Sequence, residues 1–175
     1  MSALYFIVET LLSLALFVFL ARLLLQLNRA DFRNPIAQAV VRLTNPLILP
    51  LRRVLPPIGK LDTASVVAVL LVTAVEVACL FALHSGVLPG PLDWARAMAL
   101  EIGRMLLSTY CYAILLYALL GLIAPSGYSP LQSVLAAVCE PVLRPIRRLI
   151  PSVAGLDLSP LWAIIVIQAL LILLR

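Results

Sequence analysis

PIAQAVVRLTNPLILPLRRVLPPIGKLD, residues 35–62, and PLQSVLAAVCEPVLRPIRRLIPSVAGLD, residues 130–157, are one pattern written twice, 95 positions apart and without a gap. Pro35, Pro46, Pro50, Arg52, Arg53, Pro56, Leu61 and Asp62 return as Pro130, Pro141, Pro145, Arg147, Arg148, Pro151, Leu156 and Asp157. A repeat of this length decides the architecture before any single motif does. One unit is used twice, and each copy of the proline and arginine ladder lies between long apolar runs. The ladder is therefore expected where a membrane segment meets water.

The composition names the solvent. With 63% hydrophobic residues, 12% charged ones and a mean hydropathy of +1.12, the chain lies outside the range of soluble domains. A helix needs about 20 mostly apolar residues to cross a bilayer. Residues 4–27, 64–85, 103–124 and 158–174 qualify, the last at the short limit. The fold class read from this pattern is an all-α membrane protein of four transmembrane helices in two parallel repeats. Each repeat holds a cytoplasmic amphipathic helix and a Pro/Arg-rich turn between its two spans. The repeats cover residues 1–85 and 96–175, with a periplasmic hairpin at 86–95. Little sequence is left for a soluble catalytic domain.

The first span differs from a cleaved signal peptide. No Lys or Arg precedes it, Glu9 interrupts it, and no small-x-small cleavage site stands out. Arg22, Arg29 and Arg33 follow it, which favours an outward-facing amino terminus. Residues 28–61 carry Arg29, Arg33, Arg42, Arg52, Arg53 and Lys60, and residues 125–156 carry Arg144, Arg147 and Arg148. These are nine of the 13 basic residues, whereas the hairpin at 84–92 has none. The positive-inside rule then puts both ladders in the cytoplasm and both termini in the periplasm. With two spans per repeat, both copies start on the same side, so a pseudo-two-fold axis along the membrane normal is expected. Such parallel repeats, free of Gly/Pro breaks within the spans, are not the usual sign of a transporter.

Within the first ladder, Asn34 is placed as N-cap and Pro35 at the first helical position. Ile36, Ala39, Val40 and Leu43 share one face, as Leu131, Val134, Leu135 and Val138 do in the second copy behind Ser129 and Pro130. Such helices would lie in the interface. Pro46, Pro50 and Pro56 are expected to end the helix, because proline lacks an amide donor and restricts the residue before it. Pro141, Pro145 and Pro151 should do the same. The bend would set Arg52–Arg53 and Arg147–Arg148 at headgroup level, where guanidinium forks suit phosphate oxygens. These pairs either anchor the protein and set its topology, or also recognise an anionic lipid or a protein partner. Asp62 and Asp157 open the following spans as caps, each positioned to pair with its own arginines.

Glu9, Glu76, Glu101 and Arg104 fall inside or at the edge of apolar spans, which is costly unless they pair or face a polar interior. Glu9 plus the repeat length is Arg104, so the two should occupy equivalent depths and meet across the pseudo-axis. Glu101 lies one turn from Arg104 and competes for it. Glu76 is close enough in depth for an arginine to reach. These groups either lock the helices together or line a polar path. Ala74, Ala78 and Ala82 form a small-residue stripe expected to be a packing seam.

No cofactor or catalytic chemistry is indicated. His84 is the single histidine, and Cys79, Cys111 and Cys139 are scattered without paired spacing. No phosphate loop, nucleophile elbow or metal cluster is present. The basic residues sit in membrane-adjacent ladders without interleaved aromatics, so lipid is a simpler partner than nucleic acid.

Pro46-x3-Pro50-x-Arg52-Arg53-x2-Pro56 with Leu61-Asp62, and Pro141-x3-Pro145-x-Arg147-Arg148-x2-Pro151 with Gly155-Leu156-Asp157, resemble the doubled motif of the YggT (YlmG) family of small bacterial and plastid membrane proteins. The first copy departs slightly, with Gly59-Lys60-Leu61-Asp62 where the second has Gly155-Leu156-Asp157. The resemblance implies a multi-pass protein of the bacterial inner membrane without a known enzymatic activity or cofactor. It also implies relatives associated with osmotic-stress tolerance, cell-division gene neighbourhoods, and cytochrome maturation and nucleoid distribution in plastids. Two functions are expected from the whole. One is a non-enzymatic scaffold or assembly factor whose ladders hold anionic lipid and a membrane-protein partner or a second copy of the chain. The other is a small channel or transport accessory using Glu9, Glu76, Glu101 and Arg104.

Overall fold

The structure, a computed structural model, describes residues 3–56, 62–86, 88–123, 129–149 and 157–174. Among the described residues there are six helices and no strand: α1 (Ala3–Leu27), α2 (Pro35–Val54), α3 (Thr63–Ser85), α4 (Pro91–Ile123), α5 (Pro130–Leu149) and α6 (Ser159–Leu173). Three of them, α1, α3 and α4, are long and apolar enough to cross a membrane. The fourth expected span, α6, has 15 residues, roughly 22 Å at 1.5 Å per residue, which is shorter than a hydrocarbon core of about 30 Å.

Helix α4 starts at Pro91, twelve residues before the apolar span expected at 103, so the segment expected as a hairpin up to residue 95 is already helical at its end. The stretch carries Asp93, Arg96, Glu101 and Arg104, which lower its hydropathy, yet it is rich in alanine, the best helix former. The Gly90 carbonyl accepts the first helical bond from Trp94, Pro91 supplies a preset φ, and Asp93 in the first turn complements the dipole. On the other side of the connection, Gly86 ends α3 in the left-handed region, φ 70°, donating its N–H to the Ala82 carbonyl. A side chain there would be strained.

The first two of the prolines expected to end each ladder helix do not end it, whereas α2 does stop at Val54, just before Pro56. Helix α2 runs through Pro46 and Pro50, and α5 through Pro141 and Pro145. All four are exposed. Because Pro46 and Pro50 are one turn apart, the carbonyls that lose a donor, those of Arg42 and Pro46, lie in one row on the outer face. There they can be solvated, and the helix needs only to bend. The inner face keeps its hydrogen bonds.

The described chain divides into two compact units. The first comprises Met1–Leu23 and Val40–Met105, so it takes most of α1, the end of α2, α3 and the start of α4. Its core includes Ile48, Ala64 and Ala68, packed by Phe19, Leu47 and Leu51. The second comprises Leu24–Ala39 and Leu106–Arg175, with a core of Cys111, Ile114, Cys139, Leu143, Ala163 and Ile167. Within this second unit α1 terminates in a six-residue loop closure. Ala30 N–H reaches the Leu25 carbonyl and Arg29 N–H the Gln26 carbonyl, with Arg29 at φ 51° in the left-handed position. Leu25 and Ala30 are both buried there.

The buried faces differ from those drawn on the sequence. On α2 the buried line is Ala37, Thr44 and Ile48, while Leu43 is 69% exposed. On α3 the buried residues are Ala64, Ser65, Ala68, Val69, Thr73, Glu76 and Val77, whereas along the stripe expected as a seam Ala74 and Ala78 are half-buried and Ala82 is exposed. The caps stand as expected: Asn34 Oδ1 accepts the Ile36 N–H at 2.9 Å and Ser129 Oγ accepts the Gln132 N–H at 3.0 Å. Asn34 Nδ2 also donates to the Pro130 carbonyl at 2.7 Å, tying the starts of the two ladder helices within the second unit.

Candidate functional site

Each arginine doublet divides its labour. In the first copy, Arg52 Nη2 lies 2.6 Å from Asp62 Oδ2, with Nε adding a bond at 3.2 Å to the same oxygen. Asp62 is the N-cap residue of α3 by position, but its carboxylate takes Arg52 and the Ser65 hydroxyl instead of a backbone N–H. Thr63 Oγ1 donates to the Pro56 carbonyl at 2.8 Å, which fastens the exit of the ladder to the entry of α3. In the second copy, Arg147 Nε lies 2.7 Å from Asp157 Oδ2 and Nη1 2.8 Å from Glu140 Oε2. Asp157 stands one residue before Leu158, the N-cap of α6, and accepts the Ser159 N–H at 2.9 Å. Pro151, like Leu61, Gly155 and Leu156, lies outside the described residues.

The second members of the doublets face outward. Arg53 and Arg148 are exposed and have no ion-pair partner among the described residues. A step of one residue turns a side chain by about 100° around a helix, so locking Arg52 or Arg147 against a carboxylate throws its neighbour to the outer face. Arg53 shares that face with Arg42, Pro46 and Pro50, and Arg148 shares it with Arg144, Pro141 and Pro145, all exposed.

Electrostatics follow the geometry. Burial works against the charge of Arg147, but hydrogen bonds to Asp157, Tyr117 and Glu140 outweigh it and raise this guanidinium above the usual arginine range. Burial likewise disfavours the Asp157 carboxylate, yet bonds from Ser159 and Arg147 hold it below the usual carboxylate range. Next to them, burial and then the Glu140 charge push the Cys139 thiol up to about 12. Cys139 is a closed, protonated core residue, not a nucleophile.

Sequence reasoning missed Arg22. In the sequence it belongs to a positive flank, but it is 2% exposed, and its Nη1 donates to Thr44 Oγ1 at 2.6 Å, Asn45 Oδ1 at 2.9 Å and the Val41 carbonyl at 3.2 Å. The guanidinium clamps α1 to the middle of α2 inside the first unit. The available sign was the pair of polar residues Thr44 and Asn45, of which Thr44 is fully buried.

The charged residues of the spans separate into two groups. Glu9, Glu101 and Arg104 line one cavity of about 410 Å³ in the first unit, together with Tyr5 and His84. Tyr5 and Glu9 are one turn apart on α1, His84 ends α3, and Glu101 and Arg104 are one turn apart on α4. Glu76 is not in that lining. It is 1% exposed and accepts the Ser13 hydroxyl at 2.6 Å on Oε1, a serine in place of the arginine expected for it. Among the described residues no group of three or more His, Cys, Asp or Glu side chains could hold a metal ion.

These features define an all-helical chain with membrane-length apolar helices and two ion-paired elbows, and the comparisons place it. The family model described as CCB3/YggT matches residues 1–83 and 97–175, and the chain belongs to this family. An uncharacterized protein of Pseudomonas aeruginosa, PA0392, is 36% identical over 171 residues, covering 95% of this chain and 85% of the relative. The uncharacterized protein YggT of Escherichia coli K12 is 32% identical over 170 residues, covering 97% and 88%. An uncharacterized protein in the proC 3' region of Vibrio alginolyticus is 34% identical over 169 residues, covering 96% and 91%. No solved structure matches the chain.

Proposed function

We propose that this chain is a non-enzymatic, multi-pass scaffold of the bacterial inner membrane that holds anionic lipid, and beside it a membrane-protein partner or a second copy, through the outer faces of its two ladders. The observation that carries this reading is the outward, unpaired position of Arg53 and Arg148. The first arginine of each doublet is consumed by the elbow, so the second is the phosphate fork. Its neighbours Arg42 and Arg144 add positive charge along the same faces. Helices α2 and α5 then lie in the cytoplasmic interface, and α1, α3 and α4 cross the bilayer, with the shorter α6 and its flanking residues taking the fourth span of two parallel repeats. A link to osmotic-stress tolerance or cell division rests on the family resemblance alone.

The test is lipid retention. Arginine near an anionic surface contributes about 1 kcal/mol, and a bidentate fork is lost on changing Arg to Lys although the charge stays. The Arg53→Lys/Arg148→Lys protein should purify with less cardiolipin and phosphatidylglycerol than wild type, and Arg53→Gln/Arg148→Gln with still less. Lipid content unchanged in both would reduce the outer arginines to topology determinants.

Orientation is checked separately. A reporter fused after residue 175 or inserted near Gly86 should be periplasmic, and one inserted near residue 60 or 127 cytoplasmic. The opposite pattern would overturn the cytoplasmic assignment of the ladders. A transport accessory would need Glu76 in one passage with Glu9, Glu101 and Arg104; its seat on Ser13, outside the shared cavity, favours the scaffold.

A further inference from the structure

The cavity at the α1, α3 and α4 faces of the first unit is unused by the lipid-holding role, and its chemistry is specific. Three helix faces converge on it. Val77, Leu80, Phe81 and His84 stand at i, i+3, i+4 and i+7 on α3, Ala97, Leu100, Glu101 and Arg104 repeat that spacing on α4, and Tyr5 and Glu9 come from α1. Residues at these spacings share one side of a helix, so the cavity is built by regular elements and not by loops.

Charge and shape select the ligand. Two carboxylates, Glu9 and Glu101, line the cavity with one guanidinium, Arg104, and one imidazole, His84, which with the imidazole neutral leaves a formal charge of −1 for a ligand to balance. A bound cation balances that charge, whereas an anion adds to it. The aromatic rings of Tyr5 and Phe81 also favour a cation over an anion. Val77, Leu80, Ala97 and Leu100 supply apolar wall, which a bare inorganic ion would not use. The volume, about 410 Å³, is at the small end of the range for sites that enclose organic ligands.

We propose that this cavity is a binding site for a small organic monocation, a primary ammonium with a short apolar body, its nitrogen held between Glu9 and Glu101 and its body against the α3 and α4 walls. An anion would meet two carboxylates. A zwitterion would leave the negative charge uncompensated. The proposal does not rest on the lipid-binding ladders, which belong to other helix faces.

The experiment is calorimetric titration of the full chain in lipid nanodiscs with butylammonium chloride, against sodium chloride at equal ionic strength, sodium butyrate and 4-aminobutyrate. Saturable binding of butylammonium alone is expected. Glu9→Gln and Glu101→Gln should each weaken it about tenfold, the loss of one charge-assisted contact. Leu100→Trp, which fills the cavity and leaves every charge in place, should abolish it, and this variant decides the matter if either glutamine variant fails to fold. Arg53→Gln/Arg148→Gln should bind butylammonium as wild type does, which separates this site from the lipid-holding role. Absence of saturable butylammonium binding, equal or tighter binding of butyrate or 4-aminobutyrate, or full binding by Leu100→Trp would overturn the proposal.

Discussion

Changing Thr44 to Val and Asn45 to Leu together is expected to destabilise the protein by about 3–5 kcal/mol, the range for a buried charge stripped of its partners. Removing Arg22 itself should cost less. The double variant leaves a guanidinium 2% exposed with only the Val41 carbonyl of its three acceptors, at 3.2 Å. Arg22→Leu takes away the charge together with its donors, and Thr44 keeps its own bond to the Val40 carbonyl at 2.7 Å. The loss there is about 1–2 kcal/mol, mainly the stranded Asn45 amide. Combining all three changes should recover most of the double variant's deficit, a strong departure from additivity. Unfolding of the three proteins in mild detergent measures it. Additive effects, or Arg22→Leu falling below the double variant, would show that the clamp between α1 and α2 is not what holds this arginine.

Why Arg22 escaped the sequence reading is a matter of distance. Its partners are 22 and 23 residues away on another helix, beyond the reach of any local spacing rule. The pairings of Arg52 with Asp62 and Arg147 with Asp157 were legible, because opposite charges recur ten residues apart in both copies. Which arginine of each doublet pairs was not. That choice is one of helical phase, and assuming that Pro46 or Pro141 ends the helix discards the phase needed to compute it. A proline's cost depends on whether its face is outward, so tertiary position overrode local propensity here. Hydropathy misplaced the start of α4 for a related reason. It reports where a segment can lie in a membrane, whereas Gly90, Pro91 and the alanines that follow report where a helix can begin. The repeat length led to the expectation that Glu9 and Arg104 meet, and the structure sets both, with Glu101, in the lining of one cavity. Glu76 has no charged counterpart one repeat length away, so the same reasoning could not seat it.

That seat makes Glu76→Leu a second large effect, of opposite sign: the variant is expected to be more stable than wild type by about 1–3 kcal/mol, the usual cost of a buried polar atom left without a partner. Only Oε1 of Glu76 is satisfied, by Ser13 at 2.6 Å; Oε2 is buried and has no hydrogen-bond partner. Leucine has a similar volume and removes the orphan oxygen, as apolar replacements of buried charged groups often do without loss. Ser13 need not be stranded, because a helical hydroxyl can turn to the carbonyl one turn back. Thr10 does so to Phe6 at 2.7 Å and Thr73 to Val69 at 2.9 Å. Thermal unfolding of Glu76→Leu, Glu76→Gln and wild type in the same detergent checks the sign. Stabilisation by Leu would mean that a carboxylate is kept at this depth against the interest of folding, as expected of a group retained for function. A Leu variant less stable than wild type would instead make Glu76 and Ser13 a structural tie between α1 and α3, and would remove Glu76 from any functional account of the chain.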